Sequence, residues 1–270
     1  MSRQFFFVLA DTELELIPPE IANERCVLNN ARARGKAPEK MLLDASHHHP
    51  AFGKLRESDR RGRPDIPHFF LMLCMDSDLS VGGRLRVFVH TRNNDVIAVN
   101  PETRLPPNYP RFVGLIETLY EQQVVPSAEN ALLELRHGVT LETLVTALKP
   151  DTVIVLDAAG DKTDTLAGRM AELEGDRVVV IIGGFSKGAF KSDMTKLKPK
   201  RYSLGDRMMK VWTVTSKVLC SIDTAERHGD VLKPKAPKKD APKEEAPKKD
   251  TPKKAKAPSK PRPARKKKAE

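Results

Sequence analysis

Arg61-Gly62-Arg63-Pro64-Asp65-Ile66 concentrates chemistry in six residues. Two guanidinium groups flank a glycine, and a carboxylate follows the second arginine by two positions. Proline fixes its own φ and pushes the preceding residue toward extended conformations. An extended backbone here points Arg63 and Asp65 the same way. A carboxylate beside a guanidinium can hold the planar fork in one orientation, ready for a phosphate or a base edge. A plain surface ion pair on a loop has the same letters, and such pairs contribute little.

Other segments carry weaker signals. Val178–Ile182 runs into Gly183-Gly184-Phe185-Ser186-Lys187-Gly188. Glycines just past a buried strand let backbone approach a ligand closely, although a plain glycine turn reads the same. The spacing is neither the dinucleotide fingerprint nor a phosphate-cradling P-loop, which disfavours NAD and ATP. Ser203-Leu204-Gly205-Asp206-Arg207-Met208-Met209 forms a turn able to close over a ligand on that loop. The two methionines suit a thioether or purine contact, or simple packing. Arg104 and Arg111 bracket Leu105-Pro106-Pro107-Asn108-Tyr109-Pro110, a rigid stretch suited to phosphates and splayed bases of structured RNA. Asp76 ends an apolar run, where it is a candidate base in a desolvating pocket, or a helix cap. His47-His48-His49 invites a metal, but adjacent histidines do not easily face one ion and no further ligands complete a set. We expect no metal.

Charge narrows the class further. The chain has 270 residues and net charge +11. Residues 233–270 hold 16 of its 47 Lys and Arg and 5 of its 36 Asp and Glu, leaving 31 of each in residues 1–232. Nucleic-acid affinity in the body must therefore come from a local patch. The tail is Lys/Pro/Ala-rich and nearly free of apolar side chains, so it is expected to be disordered and to add nonspecific, salt-sensitive RNA affinity. Cys26, Cys74 and Cys220 are widely spaced, which argues against a disulfide framework. No apolar run reaches membrane-spanning length and the N-terminus does not read as a signal peptide, so a soluble, cytoplasmic protein without membrane partners is expected.

The elements that must position these residues read as follows. Phe5–Ala10 is a buried strand, Pro18–Arg34 a helix, and Pro67–Asp76 a buried helix or strand. Arg84–His90 and Val96–Val99 flank an Asn93-Asn94-Asp95 turn as a hairpin. Tyr109–Gln123 and Leu141–Leu148 are helical, Val153–Leu156 a strand, Thr163–Glu174 a helix, Arg177–Ile182 a strand and Asp206–Glu226 a closing helix. Strands apolar on both faces, separated by helices, predict an α/β fold with a mostly parallel sheet covered on both sides.

Several motifs in one order resemble the nucleolar-essential-protein (essential-for-mitotic-growth) family of SPOUT-class RNA methyltransferases. They are RGRPDI at 61–66, the apolar stretch ending in Asp76-Ser77, LRVFVHT at 85–91, VNPETRLP at 99–106, RFVGLIE at 111–117, IGGFSKGAF at 182–190 and SLGDRMM at 203–209. The resemblance spans residues 3–226 and leaves the tail outside. It implies a SPOUT-type parallel sheet flanked by helices, with a deep trefoil knot at about 150–226. That knot is an exception to the rule that chains avoid knots. It also implies a hairpin extension at about 79–105, a methyltransferase domain over 1–228 and a tail over 229–270.

By the same resemblance, a homodimer transfers a methyl group from S-adenosylmethionine to N1 of a pseudouridine in small-subunit ribosomal RNA, in ribosome biogenesis. A eukaryotic source would make it nucleolar. Cofactor contacts carry over to Leu156, Gly183, Gly188 and Leu204 through Met209. RNA contacts carry over to Arg63, Arg104 and Arg111, with Asp65 orienting an arginine. Two positions depart from the family: Pro107 stands where a third arginine is common, and Met208-Met209-Lys210-Val211 replaces the usual Pro-Leu-Ser/Thr-Ala. A competing reading keeps the RNA binding and makes catalysis dispensable, as in a small-subunit assembly protein.

Overall fold

A computed structural model describes residues 3–162, 165–205 and 207–232, the last four of these by backbone alone. The tail from 233, Asp206 and Thr163 lie outside the described residues.

Eight strands form one sheet: β1 (Gln4–Thr12), β2 (Leu85–Thr91), β3 (Val96–Val99), β4 (Val124–Val125), β5 (Leu133–Arg136), β6 (Thr152–Lys162), β7 (Arg177–Gly183) and β8 (Lys200–Ser203). Their spatial order is β4-β5-β3-β2-β1-β7-β6-β8. The five strands from β2 to β8 run parallel, and β3, β5 and β4 add an antiparallel edge. The helices are α1 (Arg25–Arg34), α2 (Ala45–His48), α3 (Asp65–Met75), α4 (Asp78–Val81), α5 (Tyr109–Gln122), α6 (Leu141–Ala147), α7 (Leu166–Ala171) and α8 (Val211–Leu232).

The unbroken apolar run of β1 explains its place. It is hydrogen-bonded to β2 on one side and β7 on the other. Phe5, Phe7 and Leu9 enter a core with α3, α5, α7 and α8, while Phe6, Val8 and Ala10 pack on the α6 side. A strand buried on both faces loses the alternation expected of a half-solvated one. A third cluster, including Ile21, Val27, Met41 and Phe52, sits beneath the segment from 17 to 55.

Several expectations shift. The open choice at Pro67–Asp76 resolves to helix α3, which starts at Asp65 with Pro64 as its N-cap. Pro67 is tolerated because the first turn has no intrahelical amide partner to lose. Pro18–Arg34 divides into a 3-10 turn at Pro19–Ile21 and α1. The Thr163–Glu174 helix shortens to α7, and the last helix begins at Val211 rather than 206. Helix α8 is interrupted at His228, where φ −132 and ψ 17 leave helical geometry, before it reaches Leu232. Strand β6 continues past Leu156 to Lys162, after a register shift against β8. The hairpin has the expected antiparallel register, Val87↔Val99 through His90↔Val96, and β5 and β4 extend its sheet edge.

Glu117 on α5 ties the third cluster to the sheet. Its carboxylate is buried and accepts from Arg34 Nη1 and Nη2 at 2.7 Å each, Lys36 Nζ at 2.6 Å and the Leu42 amide at 3.1 Å. Burial pushes its pKa up, but the bonds from Arg34, Lys36 and Leu42 outweigh it and hold the group below its ordinary 4.5. A lowered folded-state pKa contributes stability at neutral pH that is lost as pH falls through that value. Glu117→Gln should cost roughly 2–4 kcal/mol at pH 7, somewhat under a fully buried pair because both cations reach water. Urea unfolding at pH 7 and pH 4 should show the variant losing less stability on acidification than the unaltered chain.

Candidate functional site

The parallel strands end in a cavity of about 320 Å3. Ligand crevices form at the carboxyl ends of such strands, and this volume falls in the small-molecule range. Three segments wall it. The first starts at Leu156, the last β6 residue paired with β7. The second is Gly183 at the end of β7 with the loop after it, including Phe185, Gly188 and Phe190. The third is the turn after β8, with Leu204, Gly205, Arg207, Met208 and Met209, backed by Val211 and Val214 of α8. Every described residue that the sequence associated with a cofactor therefore lines one space; Asp206 is outside the described residues.

The glycine loop is held close to β1. The Gly184 amide donates to the Ala10 carbonyl at 2.7 Å, and a Cβ on Gly184 would meet Thr12 Oγ1 at 2.3 Å and Thr12 Cα at 2.8 Å. Only glycine fits so near another backbone. Downstream, the Asp11 carboxylate accepts from the amides of Lys191 at 2.7 Å and Ser192 at 3.1 Å, and from Ser192 Oγ at 2.5 Å. Both ends of the loop are thus tied to the end of one central strand.

Arg63 and Asp65 form the bidentate pair expected of them: Nε to Oδ1 at 2.8 Å and Nη2 to Oδ2 at 2.7 Å. The backbone differs from the extended form anticipated. Gly62 has φ +67, Pro64 is helical and Asp65 opens α3, so a turn into the helix brings the two side chains together. The Asp65 hydrogen bond raises the Arg63 pKa, and the pair remains about 30% exposed (29% and 31%). Arg61 instead turns inward, with a bidentate pair to Glu15 at 2.8 and 2.7 Å.

A second pocket, about 120 Å3, lies beside the cavity and shares Phe185, Met208, Met209 and Val211 with it. It adds Arg63, Ile66, Ser186, Lys210 and Trp212. Sequence reasoning passed over Phe185 and Trp212; the latter, the sole tryptophan, was the available signal.

Arg104 and Arg111 are exposed and, among the described residues, take part in no ion pair. The proline-rich connection between them docks through His68 Nε2, 3.1 Å from the Pro106 oxygen, and Tyr109 Oη, which donates to Asp44 Oδ2 at 2.6 Å.

Asp76 is placed elsewhere. It is exposed at the C-cap of α3 and lines a groove between α3 and α8 that shares no residue with the cavity. His48 is buried; its Nδ1 accepts from the Asp44 amide at 3.0 Å, and burial lowers its pKa to about 4. It serves the fold as a neutral ring. Among the described residues no group of three His, Cys, Asp or Glu side chains could hold a metal ion, and no helix is long and apolar enough to cross a membrane.

A family model described as EMG1/NEP1 methyltransferase matches residues 7–223, which include the cavity and Arg63, Arg104 and Arg111. The chain belongs to this family. Its Nep1 relatives include a ribosomal RNA small subunit methyltransferase Nep1 from Methanothrix thermoacetophila, 42% identical over 232 residues, 85% of this chain and 98% of that protein. The protein of that name from Pyrococcus furiosus is 40% identical over 223 residues, covering 83% and 98%. A crystal structure of Archaeoglobus fulgidus Nep1 bound to S-adenosylhomocysteine superposes with TM-score 0.73 at 37% identity, covering 84% of this chain and all of that one. The fold here is therefore that of Nep1, the SPOUT-type sheet flanked by helices.

Proposed function

We propose that this chain transfers a methyl group from S-adenosylmethionine to N1 of a pseudouridine in small-subunit ribosomal RNA. The observation that carries the reading is the shared wall: Phe185, Met208, Met209 and Val211 separate the ligand cavity from a pocket lined by Arg63, whose guanidinium Asp65 holds. The family relatives named as small-subunit ribosomal RNA methyltransferases support the substrate class.

The cavity suits such a donor. Its wall is mainly apolar, and Gly183, Gly188 and Gly205 are part of it. Leu156, Leu204 and the described residues from Arg207 to Met209 complete the grip. S-adenosylmethionine, when bound, supplies a methyl group already activated on a sulfonium. The protein's own work is then alignment, worth several kcal/mol in well-oriented reactions. A base must leave its stack to reach the second pocket. Arg63, fixed by Asp65, holds the RNA backbone at the pocket mouth, and Arg104 and Arg111 extend that contact. No described residue lining the second pocket carries a carboxylate, and the N1 proton passes to solvent. The tail contributes nonspecific, salt-dependent attraction to RNA.

The chain acts as a homodimer through α3 and α8. Phe69 is 49% exposed yet sits 5.1 Å from the Trp212 ring, above an apolar groove of about 550 Å3 between these helices. Exposed aromatic surface of this kind marks an association face. The knot of the family occupies about 150–226; the parallel return of β8 beside β6, past β7, supports it.

Three measurements test these statements. A small-subunit RNA hairpin carrying pseudouridine should gain one methyl by mass spectrometry, and its uridine counterpart none; equal gains would sink the pseudouridine assignment, and RNA binding with no gain on either would favour an assembly role. Asp65→Gly should weaken hairpin binding by about tenfold, as expected for loss of a charge-assisted bidentate pair, while S-adenosylhomocysteine still binds. Phe69→Glu should shift the particle to monomer mass in light scattering, with helical content unchanged.

A further inference from the structure

Arg60 lies one residue before the arginine motif, yet it faces the other way. It is 7% exposed. Its Nε donates to Glu13 Oε1 at 2.8 Å, its Nη1 donates to the Ala189 carbonyl at 2.9 Å, and its guanidinium lies 4.4 Å from the centre of the Phe185 ring. Ala189 and Phe185 are both walls of the ligand cavity, whereas Arg60 itself does not line it. The fit is close: a Cβ on Gly188 would stand 3.1 Å from Arg60 Nη1.

A guanidinium is an expensive strut to bury, and this one is buried incompletely satisfied. Among the described residues its Nη2 has no hydrogen-bond partner. A buried donor without a partner costs about 1–3 kcal/mol, so its persistence asks for a reason. A lysine opposite Glu13 would neutralise the carboxylate with a single point of charge. Only the planar fork reaches Glu13, the Ala189 oxygen and the Phe185 face at once.

We infer that Arg60 is a positioning residue for the donor-binding loop, setting Phe185 and Ala189 where the ligand must meet them. It acts from behind the loop and touches neither ligand. Because it is continuous with Arg61–Asp65, it also fixes the distance between the RNA clamp and the cavity wall. This inference rests on the proposed function for the identity of the ligand.

Arg60→Lys tests it while keeping a cation beside Glu13. Calorimetry with S-adenosylhomocysteine should show affinity reduced about tenfold, the scale of losing one well-made hydrogen bond and its aromatic contact. Hairpin affinity measured without that ligand should stay within about twofold, because Arg63 and Asp65 keep their own pairing. Amide exchange across 184–192 should quicken in the variant with α5 unchanged, since a loosened loop opens locally. Equal S-adenosylhomocysteine affinity in both proteins, or equal losses of ligand and RNA binding with general unfolding, would overturn the assignment. If the unaltered chain does not bind S-adenosylhomocysteine, the reading of function falls, and unchanged exchange across 184–192 would overturn the role of Arg60 independently.

Discussion

Glu13 is the residue on which the site depends. Its carboxylate is fully buried and accepts from Arg60 at 2.8 Å and from Arg92 at 2.5 Å. Its amide donates to the Gly184 carbonyl at 3.2 Å, and its carbonyl accepts from the Arg63 amide at 3.4 Å. One residue just beyond β1 thus joins the glycine loop, the arginine motif and the hairpin turn. Burying such a carboxylate gains little net stability over an apolar replacement, but leaving it unpaired is severe. The cost of breaking any one partner is what holds the others in register.

Arginine serves two purposes within a short stretch, and burial separates them. Arg60, Arg61 and Arg92 are spent on Glu13 and Glu15 inside the protein. Arg63, Arg104 and Arg111 keep their guanidinium groups at or near the surface. With 31 basic and 31 acidic residues in the first 232, general attraction to a polyanion is weak there. Recognition must therefore rest on a few placed cations, and placement comes from the buried set.

The sequence made some of this legible and hid the rest for physical reasons. Continuous apolar runs announced β1 and β7, and alternation announced the hairpin. Strands β4 and β5 escaped because two to four residues carry too little pattern, with Glu134 and Arg136 diluting it further. Helix α3 was ambiguous because its apolar residues surround it. The cavity walls emerged together only through their resemblance to a family. Leu156, Gly183 and Leu204 are far apart in the chain, and no local rule links them. Asp76 shows the opposite case: it follows an apolar run and sits where helix α3 ends, outside the cavity lining. The Arg60–Glu13 pair spans 47 residues, beyond any periodicity.

The sheet order has a consequence for biosynthesis. Strand β1 is made first, yet Phe5 takes Val178 as a neighbour, so its second edge is covered only when β7 arrives. Until then six consecutive buried residues, Phe5 to Ala10, present an open apolar edge. Such edges template mispairing, and long-range parallel pairing forms slowly. The newly made chain therefore carries its eventual centre uncovered until residues 177–183 have been added, the condition in which larger chains misassemble.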